Sequence, residues 1–131
     1  MFVDTSIWYA AADMGDAGNA RAKEILGSGE VLVSSDHVLV ETWVLLRHRL
    51  HRTAADRFWD GLRRGVADVE PVTRADLEAA WAIGQSFQDQ DFSIVDPVME
   101  RLGLHRAAAF DDDFAVYRYG TGRQWAFDVI R

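Results

Sequence analysis

The feature that most constrains the fold of this chain is a repeated alternation of short apolar runs with helical segments. The run at residues 31–33 is the clearest, because it is continuously apolar and is flanked by Gly and Glu on one side and by two serines on the other. Such a run is typical of a strand buried on both faces. Strands that alternate with helices, about 25–35 residues apart, imply right-handed crossovers. We therefore predict an α/β fold with a parallel sheet covered on both faces.

Apolar periodicity and the positions of Gly and Pro predict the individual elements. An apolar N-terminal strand leads into a first helix that includes residues 7–11. Asp36 is positioned to cap the helix that follows the second strand. Further helices are predicted at residues 19–26, 37–50, 53–62, 73–87, 94–102 and 112–117. Further strands are predicted at residues 66–72 and 106–110, with a polar loop at 88–91 and an edge strand at 124–129.

Length and composition limit the class of protein. A chain of 131 residues suits a single domain spanning residues 1–131, and its 49% hydrophobic residues are enough to build a core. No apolar run approaches the roughly 18 residues that a membrane span needs. No Lys or Arg precedes an apolar stretch at the N-terminus, so we expect no secretory signal. The absence of cysteine excludes disulfides, thiolate zinc sites and Cys nucleophiles, and it fits a reducing cytoplasm.

The distribution of charge leaves two interpretations open. The formal net charge of −7 argues against a nucleic-acid partner, because phosphate binding is driven by cations. The positive charge, however, is almost entirely guanidinium, since Lys23 is the only lysine, and guanidinium grips phosphate through two bonds. Six arginines are concentrated in one part of the chain, where they form either a phosphate-binding rim or a solvated helix face: Arg47, Arg49, Arg52, Arg57, Arg63 and Arg64.

The N-terminal sequence MFVDTS places Asp4 at the end of the first strand and at the mouth of the first helix. In parallel α/β sheets, ligands bind at the carboxyl ends of the strands. The alternative is that Asp4, or Thr5 or Ser6, only caps the helix. Acidic residues recur after later strands, and this recurrence favours a binding site.

Two further carboxylates are placed by helices. Glu41 lies beside the apolar stripe of the helix after the second strand, so partial burial and a partner are expected, although it could simply answer the helix dipole. Asp96 stands at the start of another helix. It could itself cap that helix ahead of Pro97, or it could reach back to Ser93 as in a capping box. Either arrangement leaves its carboxylate on the strand-end side of the sheet.

Three consecutive acids, Asp111, Asp112 and Asp113, follow the Ala-rich fourth strand. Two unit charges about 4 Å apart repel each other by about 4 kcal/mol at an effective dielectric constant of about 20. A turn or a cap needs only one carboxylate, so the surplus charge indicates a bound metal ion. All the candidate ligands are carboxylate oxygens, which favour Mg²⁺ or Mn²⁺ over zinc.

The remaining polar residues form no recognised catalytic pattern. Ser6 is not part of a nucleophile elbow, and the chain contains no Gly-rich phosphate loop, so triad hydrolases and P-loop enzymes are poor candidates. Among the histidines, His48 and His51 lie between the arginines and fit the same rim better than a catalytic role. No pair of histidines has metal-binding spacing: His37, His48, His51 and His105.

Four segments make the chain resemble the PIN-domain family, specifically the VapC class of bacterial toxin endoribonucleases. The four occur in order, and the resemblance covers nearly the whole length. They are FVDTS with Asp4, SSDHVLVETW with Glu41, DQDFSIVDPVMERLG with Asp96, and AFDDDF with Asp111 and Asp113.

The resemblance implies a three-layer α/β/α sandwich with a central parallel sheet. It also implies an acidic quartet of Asp4, Glu41, Asp96 and Asp111, which would bind one or two Mg²⁺ ions, with Mn²⁺ able to substitute. Asp113 would be a fifth, outer acid, and either Asp111 or Asp113 could lie closer to the metal.

The same resemblance implies roles for three other residues and for partners. Thr5 and Ser6 match the small polar position that supports the first Asp, and Asp91 matches a loop or capping residue. Proteins of this class typically dimerise and are held inactive by a VapB-type antitoxin. We therefore expect a homodimer or a toxin–antitoxin hetero-oligomer.

The leading hypothesis for function is Mg²⁺-dependent hydrolysis of RNA phosphodiester bonds. Glu41 would bind metal or orient the water, the aspartates would bind metal, and some of the six arginines would hold flanking phosphates. One alternative is a metal-dependent phosphatase or phospho-acceptor domain, which also clusters Asp at strand ends. Another is an inactive module that only binds RNA or a partner protein.

The chain has five tryptophans, more than a small core usually needs. Tryptophan is enriched at protein interfaces, so we expect at least one to lie at a dimer or antitoxin interface. The alternative is that all five belong to the core: Trp8, Trp43, Trp59, Trp81 and Trp125.

Overall fold

The computed structural model describes residues 1–86, 94–111, 118–119 and 125–131. Short parallel strands form a central sheet, namely β1 (Phe2–Val3), β2 (Val33–Ser35), β3 (Asp68–Glu70), β4 (Arg106–Ala108) and β7 (Asp128–Ile130). Their order across the sheet is β3-β2-β1-β4-β7. Two other strands pair antiparallel in a separate ribbon, β5 (Arg118–Tyr119) and β6 (Trp125–Ala126).

The described helices connect the strands of the sheet. α1 and α2 link β1 to β2, α3 and α4 link β2 to β3, and α5 and α6 link β3 to β4. α1 packs against both α2 and α3, α3 packs against α4, and α5 packs against α6. The bounds are α1 (Thr5–Ala12), α2 (Asn19–Leu26), α3 (Asp36–Arg49), α4 (Arg52–Arg63), α5 (Arg74–Ser86) and α6 (Val95–Arg101).

Both faces of the sheet are covered. Consecutive residues of a strand point to opposite faces. Phe2 and Val3 of β1 are fully buried, and so are Ala107 and Ala108 of β4. Since neither face reaches solvent at the centre of the sheet, the predicted α/β/α architecture with a central parallel sheet is confirmed.

The second strand lies two residues later than predicted. Val31 is exposed, whereas Ser34 and Ser35 are fully buried. The Ser34 hydroxyl accepts a hydrogen bond from the indole N–H of Trp8 over 2.8 Å and donates to the carbonyl of Val3 over 2.6 Å. These bonds satisfy a polar side chain inside the core, so a strand can include serines that a purely apolar pattern leaves out.

The predicted cap of the third helix is wrong. Ser35 is the N-cap of α3, and its hydroxyl accepts from the backbone N–H of Val38 over 3.3 Å. Asp36 instead accepts from the N–H of His37 and, over 3.0 Å, from the N–H of Val72. Its carboxylate therefore ties the start of α3 to the segment after β3.

The C-terminal prediction was partly wrong. The edge strand expected at residues 124–129 is divided between β6, which pairs with β5, and β7, which pairs with β4. β7 is parallel to β4 and supplies the edge of the sheet. The helix predicted at residues 112–117 and the polar loop at 88–91 lie outside the described residues.

An ion pair that the sequence analysis did not select joins the buried carboxylate of Asp76 in α5 to the partly exposed Arg101 in α6. Arg101 Nε lies 2.9 Å from Asp76 Oδ1, and the Arg101 guanidinium also donates to the carbonyl of Pro71 over 3.1 Å. Burial alone would raise the pKa of Asp76, but hydrogen bonds from Arg101 and Thr73 outweigh it and hold that pKa below its ordinary value. The pair fixes α6, which carries Asp96, against α5.

The tryptophans do not all belong to the core. Trp8 is buried, whereas Trp59, Trp81 and Trp125 are exposed, so the alternative that all five are core residues is wrong. Trp43 meets Trp59 edge-to-face, with ring centroids 6.4 Å apart.

None of the described helices combines the length and the apolarity that crossing a bilayer requires.

Candidate active site

The strand order changes direction between β1 and β4. The chain builds outward from β1 to β3 and then returns to add β4 on the other side of β1. The backbone N–H of Asp4 donates to the carbonyl of Ala108 over 3.0 Å, which joins the ends of these two strands. In open parallel sheets, ligands bind in the crevice at such a switch point. Asp4 and Asp111 follow the two strands that meet there.

Asp4 is both a helix cap and a wall of this crevice. It is the N-cap of α1, and its Oδ2 accepts from the backbone N–H of Ser6 over 3.2 Å and from the Ser6 hydroxyl over 2.9 Å. The Ser6 hydroxyl in turn accepts from the N–H of Phe110 over 3.0 Å. Ser6 therefore links Asp4 to the segment that carries Asp111.

Glu41 reaches the same region from α3. Thr5 donates its hydroxyl to Glu41 Oε2 over 2.8 Å. The partner expected for Glu41 is thus present, but the predicted partial burial is wrong, because the side chain is exposed. It faces an open crevice between α1 and α3 rather than the core.

A cavity of about 740 Å³ lies over the switch point. Three of the predicted site residues line it together, namely Asp4, Glu41 and Asp111. They come from three separate parts of the chain, and the Oδ1 atom of Asp111 is shielded from solvent. The structure thus places these three carboxylates, which are distant in sequence, along the wall of one cavity.

Asp16 is a fourth acid in the cavity, and the sequence analysis missed it. It lies in the turn between α1 and α2, where its Oδ1 accepts from the backbone N–H of Gly18 over 2.7 Å. The sequence around it, Gly-Asp-Ala-Gly, is typical of a turn. No signal in that segment points to the cavity, because its position depends on how α2 packs against α1.

Asp96 does not line the cavity. It is buried in the first turn of α6, and its neighbours Ile94 and Val95 line the wall instead. Ile94 rather than Asp96 is the N-cap of α6, so the alternative in which Asp96 itself caps this helix is wrong. Asp113 lies outside the described residues, as do Ser93 and Asp91.

The donor set suits a hard divalent cation in its chemistry. Asp4, Glu41 and Asp111 offer only carboxylate oxygens, the ligands that Mg²⁺ and Mn²⁺ prefer. Within the described parts of the chain, no three acidic or histidine side chains are close enough to form a ready ligand set. The site therefore fits such a cation by donor type.

The opposite end of the cavity carries an aromatic ring and a cation. Tyr9 of α1 and Arg49 of α3 both line it, and the Arg49 guanidinium lies over the Tyr9 ring, 5.7 Å from its centroid. Burial, followed by the negative charge of nearby Asp13, raises the pKa of Tyr9 above its ordinary value. Of the six arginines proposed as a rim, Arg49 is the one that lines this cavity.

Comparison with curated proteins points to one class of relative. The 23S rRNA-specific endonuclease VapC20, from two strains of Mycobacterium tuberculosis, is 40% identical to this chain over 121 residues. The aligned region covers 88% of this chain and 92% of the relative.

Comparison with solved structures agrees. The crystal structure of Mycobacterium tuberculosis VapC20, described as a sarcin–ricin loop cleaving toxin, has a TM-score of 0.78 and 38% sequence identity. The match covers 87% of this chain and 92% of that one. Residues 1–118 also match the PIN domain, a span that includes β1, β4 and all three acids that share the cavity. The chain therefore belongs to the PIN domain family.

Proposed function

We propose that this protein is a metal-dependent endoribonuclease of the VapC toxin class that cleaves 23S rRNA in the sarcin–ricin loop. The observation that carries the proposal is the cavity at the switch point, which Asp4, Glu41 and Asp111 line together. The choice of substrate rests on the relative, which is named as a 23S rRNA-specific endonuclease and aligns over 92% of its length.

The carboxylates are the groups that would hold the metal. Asp4, Glu41 and Asp111 would bind it from the cavity wall, with Asp96 and Asp113 as further predicted ligands. Bound Mg²⁺ or Mn²⁺ would lower the pKa of a water molecule and neutralise charge on the scissile phosphate and the leaving 3′-oxygen.

The hydroxyls of α1 would orient these carboxylates. Ser6 engages Oδ2 of Asp4, and Thr5 engages Oε2 of Glu41. The second oxygen of Glu41, Oε1, is then the atom that would accept a hydrogen bond from the attacking water. Orientation of this kind raises the rate because the reacting groups need not be ordered at the moment of reaction.

A VapB-type antitoxin is the proposed protein partner, and the protein would act as a homodimer or within a toxin–antitoxin hetero-oligomer. The support is the toxin class of the structural relative, together with exposed Trp59, Trp81 and Trp125, a residue type enriched at interfaces. Light scattering of the protein alone and after co-expression with the product of a VapB-type antitoxin gene tests both statements. A monomer that captures no such product would contradict them.

The direct test is cleavage of ribosomal RNA. Purified protein is incubated with bacterial ribosomes and Mg²⁺, and the new RNA ends are mapped by primer extension. We expect one cut within the sarcin–ricin loop, and we expect excess chelator to abolish it. Asp4→Asn should abolish cleavage. Asp68→Asn, a matched change of an exposed acid on the edge strand β3, should leave cleavage intact.

Three results would contradict the proposal in different ways. RNA that stays intact with the wild-type protein would indicate a binding module rather than an enzyme. Cuts confined to other RNAs would overturn the choice of substrate but leave the nuclease in place. Cleavage that persists in chelator or in Asp4→Asn would refute the role of the acidic cavity.

A further inference from the structure

One face of α3 forms a continuous wall of the cavity. Every fourth residue from His37 lines it, so that Glu41, Leu45 and Arg49 follow one another along the helix. Residues spaced by four lie on the same helix face. At 1.5 Å per residue, Arg49 lies about 12 Å along the axis from Glu41. The acidic and cationic ends of the cavity are therefore separated by more than one turn of a shared helix.

α1 forms the facing wall, and two contacts cross between the helices. Thr5 donates to Glu41 at the acidic end, and Tyr9, one turn further along α1, packs beneath the Arg49 guanidinium. The crevice between α1 and α3 is thus a channel along which Glu41 and the Arg49 guanidinium are separated, with Thr5 and Tyr9 facing them from α1.

The charge of Arg49 is available to a ligand. Within the described part of the chain Arg49 forms no ion pair, and its side chain is exposed. Two neighbouring arginines are engaged by acids on their own helix, Arg52 by Asp56 and Arg64 by Asp60. The flat Tyr9 ring holds the Arg49 guanidinium in place without neutralising it.

We propose that Arg49 binds an RNA phosphate that neighbours the cleaved phosphodiester on the same strand. Tyr9 is the residue that positions Arg49, and the RNA strand runs along the channel between α1 and α3. This inference rests on the proposed function. A strand of phosphodiesters needs a cation beyond the reaction centre, whose own charge is negative, and Arg49 brings a guanidinium to the wall of the same cavity. Its planar group can donate two hydrogen bonds to the oxygens of one phosphate.

The test measures RNA binding without cleavage. An RNA hairpin that carries the sarcin–ricin loop is titrated by fluorescence anisotropy against proteins in the Asp4→Asn background, over a series of salt concentrations. We expect Arg49→Ala to weaken binding about tenfold, since a hydrogen bond to a charged group is lost. The slope of log affinity against log salt should become shallower by about 0.7, the value for one phosphate contact in a single strand.

Arg47→Ala is the matched control. Arg47 lies on the same helix and also stacks on an aromatic ring, with its guanidinium 5.2 Å from the Trp43 centroid, but it does not line the cavity. The substitution removes the same charge, but from a side chain outside the cavity, so the salt slope should stay at the value of the parent protein. Arg49→Lys should keep the slope while losing part of the affinity. Tyr9→Leu should weaken binding when Arg49 is present but not in Arg49→Ala, because it removes only the ring that positions the guanidinium.

A cleavage assay in the Asp4 wild-type background separates the outcomes. Arg49→Ala should raise KM with little change in kcat, because it acts on a phosphate outside the reaction centre. If the wild-type protein cleaves RNA and Arg49→Ala matches Arg47→Ala in slope and KM, the inference is wrong while the proposed function stands. If the wild-type protein neither binds nor cleaves the hairpin or ribosomal RNA, both fail together.

Discussion

Removing Arg101 should destabilise this protein far more than removing a surface arginine with an equally short ion pair. Arg101 meets Asp76 at 2.9 Å, with side-chain exposures of 33% and 3%, whereas Arg64 meets Asp60 at 2.8 Å with exposures of 79% and 49%. The two pairs have the same chemistry and nearly the same length. They differ in how far water can reach the carboxylate that is left behind when the arginine is removed.

The magnitude follows from the burial of Asp76. Breaking a buried pair by removal of one partner costs about 3–5 kcal/mol, because the remaining charge stays buried. In Arg101→Ala the carboxylate of Asp76 keeps its bond from the Thr73 N–H but loses the Arg101 Nε–H, which its two oxygens accept over 2.9 and 3.2 Å. Since a third of Arg101 is in solvent, we expect the lower end of that range, about 3 kcal/mol. Arg64→Ala should cost no more than about 1 kcal/mol.

Urea denaturation followed by far-UV circular dichroism measures both variants. With a slope of about 2 kcal/mol per molar urea, typical of a small domain, Arg101→Ala should lower the midpoint by about 1.5 M. Adding Asp76→Ala should recover part of the loss, because the buried charge is then removed. Equal midpoints for Arg101→Ala and Arg64→Ala would refute the argument from burial.

Three further predictions concern the side-chain contacts of Asp4, Thr5 and Asp76. Asp4→Ala should lower stability by about 1 kcal/mol, because Ala cannot cap α1, whereas Asp4→Asn should unfold like the wild type; equal urea midpoints for the two would contradict the capping role. Thr5→Val should reduce the cleavage rate about tenfold through loss of the hydrogen bond to Glu41, with a stability change below about 1 kcal/mol; an unchanged rate would remove Thr5 from the site. Because its folded pKa is lowered, Asp76 should stabilise the protein above about pH 4 and lose this contribution as pH falls through the folded pKa, so acid titration of Asp76→Asn should show a shallower fall.

Much of the fold could be predicted because helical periodicity is local. The helix expected at residues 19–26 is observed as Asn19–Leu26, and that expected at 37–50 as Asp36–Arg49. The second strand was misplaced because Ser34 is buried through bonds to Trp8 and Val3, which are distant in sequence. Hydropathy cannot anticipate a serine whose polarity is satisfied by another element.

The site could be predicted to the extent that it depends on strand ends. Asp4 and Asp111 follow adjacent parallel strands, so their proximity is a consequence of topology alone. Asp16 escaped notice because its place in the cavity depends on the packing of α2 against α1. The contact between Tyr9 and Arg49 was missed for the same reason, since it depends on how α1 crosses α3.

The buried pair of Asp76 and Arg101 illustrates a further limit. The two residues are 25 positions apart, and nothing in the sequence around either one indicates that they form an ion pair. Only the packing of α5 against α6 brings them together and excludes solvent from the carboxylate. The resulting constraint on α6 bears on Asp96, which the same helix holds in its first turn.

The central claim is that carboxylates from separate parts of the chain act together on one divalent cation. Anomalous diffraction from crystals grown with Mn²⁺ tests it most directly. We predict a manganese peak in the switch-point cavity, within coordination distance of carboxylate oxygens from both Asp4 and Asp111, and its loss in crystals of Asp4→Asn. A wild-type protein that cleaves RNA in Mn²⁺ yet shows its only manganese peak outside this cavity would contradict the account.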